Sequence, residues 1–145
     1  MAKHLLEVKG LSVAFGASKV VDDISFGIAA GETFALVGES GSGKSMTALS
    51  VLRLLPQAAT LHAKHLALQD QDLLKIPEID FCQLRGRRIG LIFQDPMSSL
   101  NPVMTIGAQI AEVLQLHFQL SRQAIAQRVL ELLTQVEIPD PKRRL

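Results

Sequence analysis

The sequence predicts an α/β fold, and three features predict it. Two stretches of alternating apolar and β-branched residues open the chain, at 5–15 and 20–28, and read as strands joined by a turn at Gly16-Ala-Ser18. An apolar run, Thr33-Phe-Ala-Leu-Val37, leads through a glycine-rich octet into a helical stretch at 46–55. Further on, residues 106–116 and 125–136 repeat apolar side chains at helical spacing.

The elements follow in order. The first strand is expected to bulge at Gly10, where the alternation falters. Ala30-Gly-Glu32 is a tight turn into the strand at 33–37. The helix after the octet ends at Leu55-Pro56. Residues 62–70 alternate as a further strand, and 72–75 form a helical turn with Asp72 as cap. A short helix at 79–85 closes at Gly86, and 87–93 reads as a second core strand. The loop Gln94-Asp-Pro-Met-Ser-Ser-Leu-Asn-Pro102 is long and polar, which favours a functional role. Two helices follow. One shows Ile106, Ile110, Val113, Leu114 and Leu116; the other shows Ile125, Val129, Leu132, Leu133 and Val136, with Ser121 as N-cap. Pro139 and Pro141 stop the second, and Lys142-Arg-Arg-Leu145 reads as the opening of another element.

Composition narrows the class. At 145 residues the chain has a one-domain length, and 48% hydrophobic content makes it globular. A net charge of +1 gives no bulk electrostatic drive toward nucleic acid or anionic membrane. The sequence has no run long enough to span a bilayer and opens without a charged-then-apolar leader, so a cytosolic start is expected. Cys82 is the lone cysteine, which excludes an internal disulfide.

The octet Gly38-Glu-Ser-Gly-Ser-Gly-Lys-Ser45 fits G-x-x-x-x-G-K-S/T, a phosphate-binding loop, and has the strand before it and the helix after it that the motif requires. The chemistry explains the residue types. Gly38, Gly41 and Gly43 let backbone N–H groups close around phosphate oxygens. The helix turns its positive end toward the same place. Lys44 supplies a mobile charge for the β- and γ-phosphates, and the Ser45 hydroxyl can ligate Mg²⁺.

The loop alone does not choose among kinases, GTPases and transport ATPases. Read with Leu11-Ser-Val-Ala-Phe15, Val21-Asp-Asp-Ile-Ser25, Gly31-Glu-Thr-Phe34 and Phe93-Gln-Asp-Pro96, the sequence resembles the ATP-binding cassette (ABC) transporter ATPases over essentially its whole length. The loop at 94–102 and the ending at 136–145 resemble the dipeptide/oligopeptide (and nickel) importer branch.

That resemblance implies an ABC-type P-loop NTPase core, incomplete, with an N-terminal antiparallel β subdomain. Residues 1–102 would be the N-terminal part of the ATP-binding domain and 103–145 the start of its helical subdomain. It implies ATP and Mg²⁺ as ligands, adenine stacking by Phe15, and nucleotide contacts along Gly38, Glu39, Ser40, Gly41, Ser42, Gly43, Lys44, Ser45 and Met46. The Met46 side chain itself reads as packing. Gln94 would position water and, with Ser45, Mg²⁺. The implied partners are a second cassette and membrane permease subunits facing the loop after Gln94, with no nucleic acid. The implied place is the cytoplasmic face of the inner membrane.

Hydrolysis in this family needs more: an Asp for Mg²⁺, a Glu that activates water, a signature motif and a histidine loop. None of these is present in the sequence, and Leu91-Ile-Phe-Gln-Asp95 fits the Q-loop better than a metal-binding strand. His4, His62, His65 and His117 read as surface or structural. The chain is therefore expected to be the N-terminal part of a cassette that binds ATP without hydrolysing it alone, with an open sheet edge and marginal solubility. Two alternatives stay open. One is a small phosphate-loop kinase, for which Arg85, Arg87 and Arg88 could clamp phosphate. The other is a non-catalytic nucleotide-binding fragment.

Overall fold

The computed structural model describes residues 4–95 and 99–143. It has two compact units, with the boundary between Phe81 and Cys82. The first is built on an antiparallel sheet and the second on a pair of helices.

In the first unit, strand β1 (His4–Phe15) and strand β2 (Ser18–Ala29) form a long hairpin turned at Gly16 and Ala17. Helix α1 is Lys44–Val51. Strands β3 (Ala59–His62), β4 (His65–Leu68) and β5 (Gln71–Asp72) complete a sheet in the order β2-β1-β4-β5, with β3 beside the C-terminal half of β1. All pairings among these strands are antiparallel.

The expected bulge is present. Pairing runs from Val8↔Phe26 to Leu11↔Ile24, so β1 carries one extra residue, and Gly10 sits there at φ 62. The insertion has a packing consequence. Side chains three apart on a strand face opposite sides; the extra residue resets the pleat so that Val8, Leu11 and Val13 all reach the core. The same bulge explains why the strand expected at 62–70 is split. β3 pairs with residues 12–15 and β4 with residues 6–9, and the break at Ala63 and Lys64 lies opposite Gly10. Leu66, Leu68, Leu73, Val51, Leu52 and Phe81 fill the rest of this core.

Helix α1 stops earlier than its apolar pattern suggests. Leu52 caps it, and Arg53 follows at φ 53, a left-handed conformation that ends helical propagation. Asp72 does cap a turn: its Oδ1 accepts the Leu74 N–H at 3.0 Å. Helix α2 (Glu78–Cys82) is a single turn of the expected 79–85 segment.

Two expected core strands are not formed. Residues 33–37 enter no ladder, and Val37 is 86% exposed. Residues 87–93 show one isolated bridge, Arg85↔Ile89, and Ile92 is 94% exposed. An apolar run of this kind becomes a strand when a neighbour takes its N–H and C=O groups and layers cover both faces. Among the described residues no strand pairs with either segment.

In the second unit, helix α3 (Ile106–His117) and helix α4 (Arg122–Gln135) begin at Thr105 and Ser121, whose side-chain oxygens accept from the N–H of Ala108 at 3.1 Å and of Ala124 at 3.2 Å. Leu114, Ile125, Val129 and Leu133 form their core, with Ile106, Ile110, Ala111 and Ile138 against it. Val113, Leu116 and Val136 were expected on the apolar faces, yet they are exposed. The buried stripe of α3 runs through Gly107, Leu114 and His117; Val113 lies at its edge and Leu116 outside it. His117 is structural rather than superficial: it is buried, and its Nδ1 has no hydrogen-bond partner. A 3₁₀ turn, Pro141–Arg143, ends the described chain.

Candidate functional site

The octet forms a loop that its own lysine holds together. The Lys44 ammonium donates to the carbonyl oxygens of Gly38 at 2.7 Å and Glu39 at 2.6 Å, and to the Ser42 hydroxyl at 3.2 Å. The Ser42 N–H donates to Glu39 O at 3.2 Å, closing a turn within the loop. The cation therefore lies against the loop's own carbonyls.

Gly43 connects the loop to α1. It is the N-cap, at φ 87, and it offers no side chain to the helix. A Cβ there would run into the carbonyl of Val20 and the side chain of Val21, so only glycine lets the loop press this closely on β2. The first N–H groups of α1 have no intrahelical acceptor, and no acidic residue lies in its first turn. The helix start is thus a set of uncapped donors at the positive end of the dipole, with Lys44 and Ser45 among them. One turn on, both the N–H and the hydroxyl of Thr47 bond back to Gly43 O, at 2.8 and 3.0 Å, and fix the loop–helix junction.

The other expected residues fall where their elements put them. Phe15 ends β1, half-buried, opposite Ser18 on one side and Ala59 on the other. Glu39, Ser40, Gly41 and Ser45 are exposed, and Met46 is half-buried. Gln94 and Asp95 are exposed and belong to the second unit, so the candidate residues are divided between two units. The loop after Gln94 is described at its ends; Pro96, Met97 and Ser98 lie outside the described residues. Its far end is pinned to α3. The Gln109 Oε1 accepts the Asn101 N–H at 2.9 Å, and the Gln109 Nε2 donates to Asn101 O at 3.0 Å and Met104 O at 3.2 Å.

Sequence reasoning missed two contacts around the loop. Phe34, just upstream, stacks on Phe26 of β2 with ring centroids 4.9 Å apart and planes 8° from parallel. Arg53, just downstream, holds a group of partners twenty and more residues away. Local periodicity carries no signal for either, although an aromatic in an otherwise aliphatic run was a cue for the first.

A family model described as ABC transporter matches residues 21–145. Over 97% of its length the chain is 51% identical to the peptidoglycan transport ATP-binding protein YejF of Agrobacterium fabrum, and it covers 27% of that protein. Over 99% of its length it is 44% identical to the probable peptide ABC transporter ATP-binding protein y4tR of Sinorhizobium fredii, covering 44%. Over 98% of its length it is 42% identical to the oligopeptide transport ATP-binding protein OppD of Bacillus subtilis, covering 41%. The chain spans less than half the length of each of these relatives.

Proposed function

The chain belongs to the ABC transporter family, and on that premise we propose that it is an ATP-binding, energy-coupling component of a peptide importer. One observation carries the phosphate-binding part: the Lys44 ammonium sits against an uncapped helix N-terminus inside a loop of exposed backbone. That donor set is cationic and free of carboxylates on the helix, which suits a polyphosphate. Among the described residues no group of three His, Cys, Asp or Glu could hold a metal ion. The resemblance names Ser45, through its hydroxyl, and Gln94, through its side-chain oxygen, as the residues that would ligate Mg²⁺.

Each residue then has a role. Phe15 offers a π-face to adenine. The backbone of Gly38, Glu39, Ser40, Gly41, Ser42 and Gly43, with the first N–H groups of α1 through Met46, binds phosphate oxygens. Lys44 neutralises the β- and γ-phosphates, and Gln94 orients water. Bound nucleotide would supply the free energy of phosphoanhydride cleavage, but no residue in this chain is assigned to activate water. We therefore take the chain to bind ATP without hydrolysing it alone. Residues 1–102 act as the first part of the ATP-binding domain and 103–145 as the start of the helical subdomain.

Among the described residues no helix is long and apolar enough to cross a membrane. The proposed setting is peripheral, on the cytoplasmic face, against a second cassette and permease subunits that meet the loop after Gln94. A labelled-ATP assay tests the reading. The expected outcome is retention of ATP with no phosphate released. Transfer of the label to an acceptor would favour the kinase alternative, and sustained release by the chain alone would overturn the assignment.

A further inference from the structure

We propose that Arg53 is a positioning residue for the phosphate loop, acting through the axis of α1. The proposal rests on the phosphate-binding reading of residues 38–45.

Arg53 stands two residues past the end of α1 at φ 53. A helix that merely had to stop would favour glycine in such a conformation, because a Cβ is disfavoured there. The arginine side chain does something glycine cannot. Its Nη1 donates to Ile76 O at 2.6 Å and lies 3.4 Å from Leu73 O, its Nη2 lies 3.3 Å from a Glu78 carboxylate oxygen, and its Cζ lies 4.8 Å from the Phe81 ring centroid. These partners are firmly held. Leu73 and Phe81 are fully buried, and the Leu73 N–H donates to Leu66 O of β4 at 2.8 Å. The planar fork of guanidinium donors faces carbonyls and a carboxylate in fixed directions, a rigid geometry that the point charge of an ammonium does not supply.

The rest of α1 explains why this matters. The helix packs on β1 and β2, but its buried residues are Thr47, Ser50 and Val51, two of them hydroxyls bonded back into the helix. Apolar anchoring is confined to Val51 and the capping Leu52. Gly43 is pressed on Val20 and Val21 at one end, and Arg53 clips the other end to the 73–81 segment. Eight residues make a rod about 12 Å long. Freeing its C-terminal end lets the rod tilt, and the tilt moves Lys44 and Ser45 relative to the rest of the loop.

The test compares ATP and AMP affinities of the wild-type chain, Arg53→Ala and Arg53→Lys, each well below its melting temperature. Positioning predicts that Arg53→Ala weakens ATP about tenfold while AMP, which does not reach Lys44 through a γ-phosphate, changes less than about twofold. Arg53→Lys should fall between wild type and Arg53→Ala. Amide exchange in 44–51 should rise in both variants. A lowered melting temperature with unchanged ATP affinity and unchanged exchange in 44–51 would overturn the proposal. If Arg53→Ala does not fold, Arg53→Lys carries the same comparison. Lys44→Ala serves as the control: if it leaves ATP affinity unchanged, the phosphate-binding reading fails, and the exchange data still decide whether Arg53 fixes α1.

Discussion

Val13 and Val37 are the same residue type in two apolar runs of the first unit, yet Val13 is fully buried and Val37 is 86% exposed. The sheet that buries Val13 is antiparallel, and its strands follow one another within 72 residues. Its β1–β2 and β4–β5 pairings are local, whereas β1 reaches β3 and β4 far along the chain, as at Phe15↔Ala59 and Leu6↔Leu68. Residues 33–37 and the apolar part of 87–93, which opens with Arg87 and Arg88, are of the type that pairs inside a core covered on both faces. Apolarity alone does not make a strand: a backbone with no ladder partner keeps its N–H groups in water and its side chains with them.

This contrast can be broken by mutation. Phe81→Ala and Leu11→Ala remove fully buried side chains. Each should cost about 2–5 kcal/mol of unfolding free energy, read from chemical denaturation. A loss below about 1 kcal/mol would mean that the first unit is not packed as described. Ser121→Ala removes the N-cap of α4 and should cost about 1 kcal/mol, seen as reduced helicity in the second unit. Val37→Thr and Ile92→Thr should change stability by less than about 0.5 kcal/mol, because those side chains already meet water. Their measurable effect should be reduced self-association in light scattering. A large destabilisation at either position would show that the segment is packed after all.

The smallest effect is electrostatic. The hydrogen bond from Lys9 holds the Glu7 carboxyl below its ordinary 4.5, and bonds from Lys75 and the Leu74 N–H hold Asp72 below its ordinary 3.8. A lowered carboxylate pKa adds stability above the unfolded value and loses it as pH falls through the folded one. The contribution of these two carboxylates should therefore be present above pH 4.5 and be lost as pH falls through their lowered values, with Glu7→Gln and Asp72→Asn making the acid-side fall shallower.

The same contrast explains what was legible in the residues. The hairpin, the Gly10 bulge, the caps at Ser121 and Asp72, and the helix after the octet are local features, written within a few positions of each other. Failures came where the outcome depends on distant groups. The runs at 33–37 and 87–93 signalled strands, but pairing was decided elsewhere. Val113 and Leu116 fitted an apolar helix face, and the packing of α4 chose a narrower stripe. The octet was the most legible feature of the site, because glycine spacing and Lys44 state their chemistry directly. The clasp of Lys44 on Gly38 and Glu39, and the grip of Arg53 on Ile76, needed coordinates.

The central claim is that residues 38–45 bind a nucleotide triphosphate through Lys44. Equilibrium titration of the wild-type chain and Lys44→Ala with Mg²⁺–ATP tests it most directly. The account predicts saturable binding to the wild type and a loss of at least about tenfold in affinity for the variant; equal affinity in the two would contradict it.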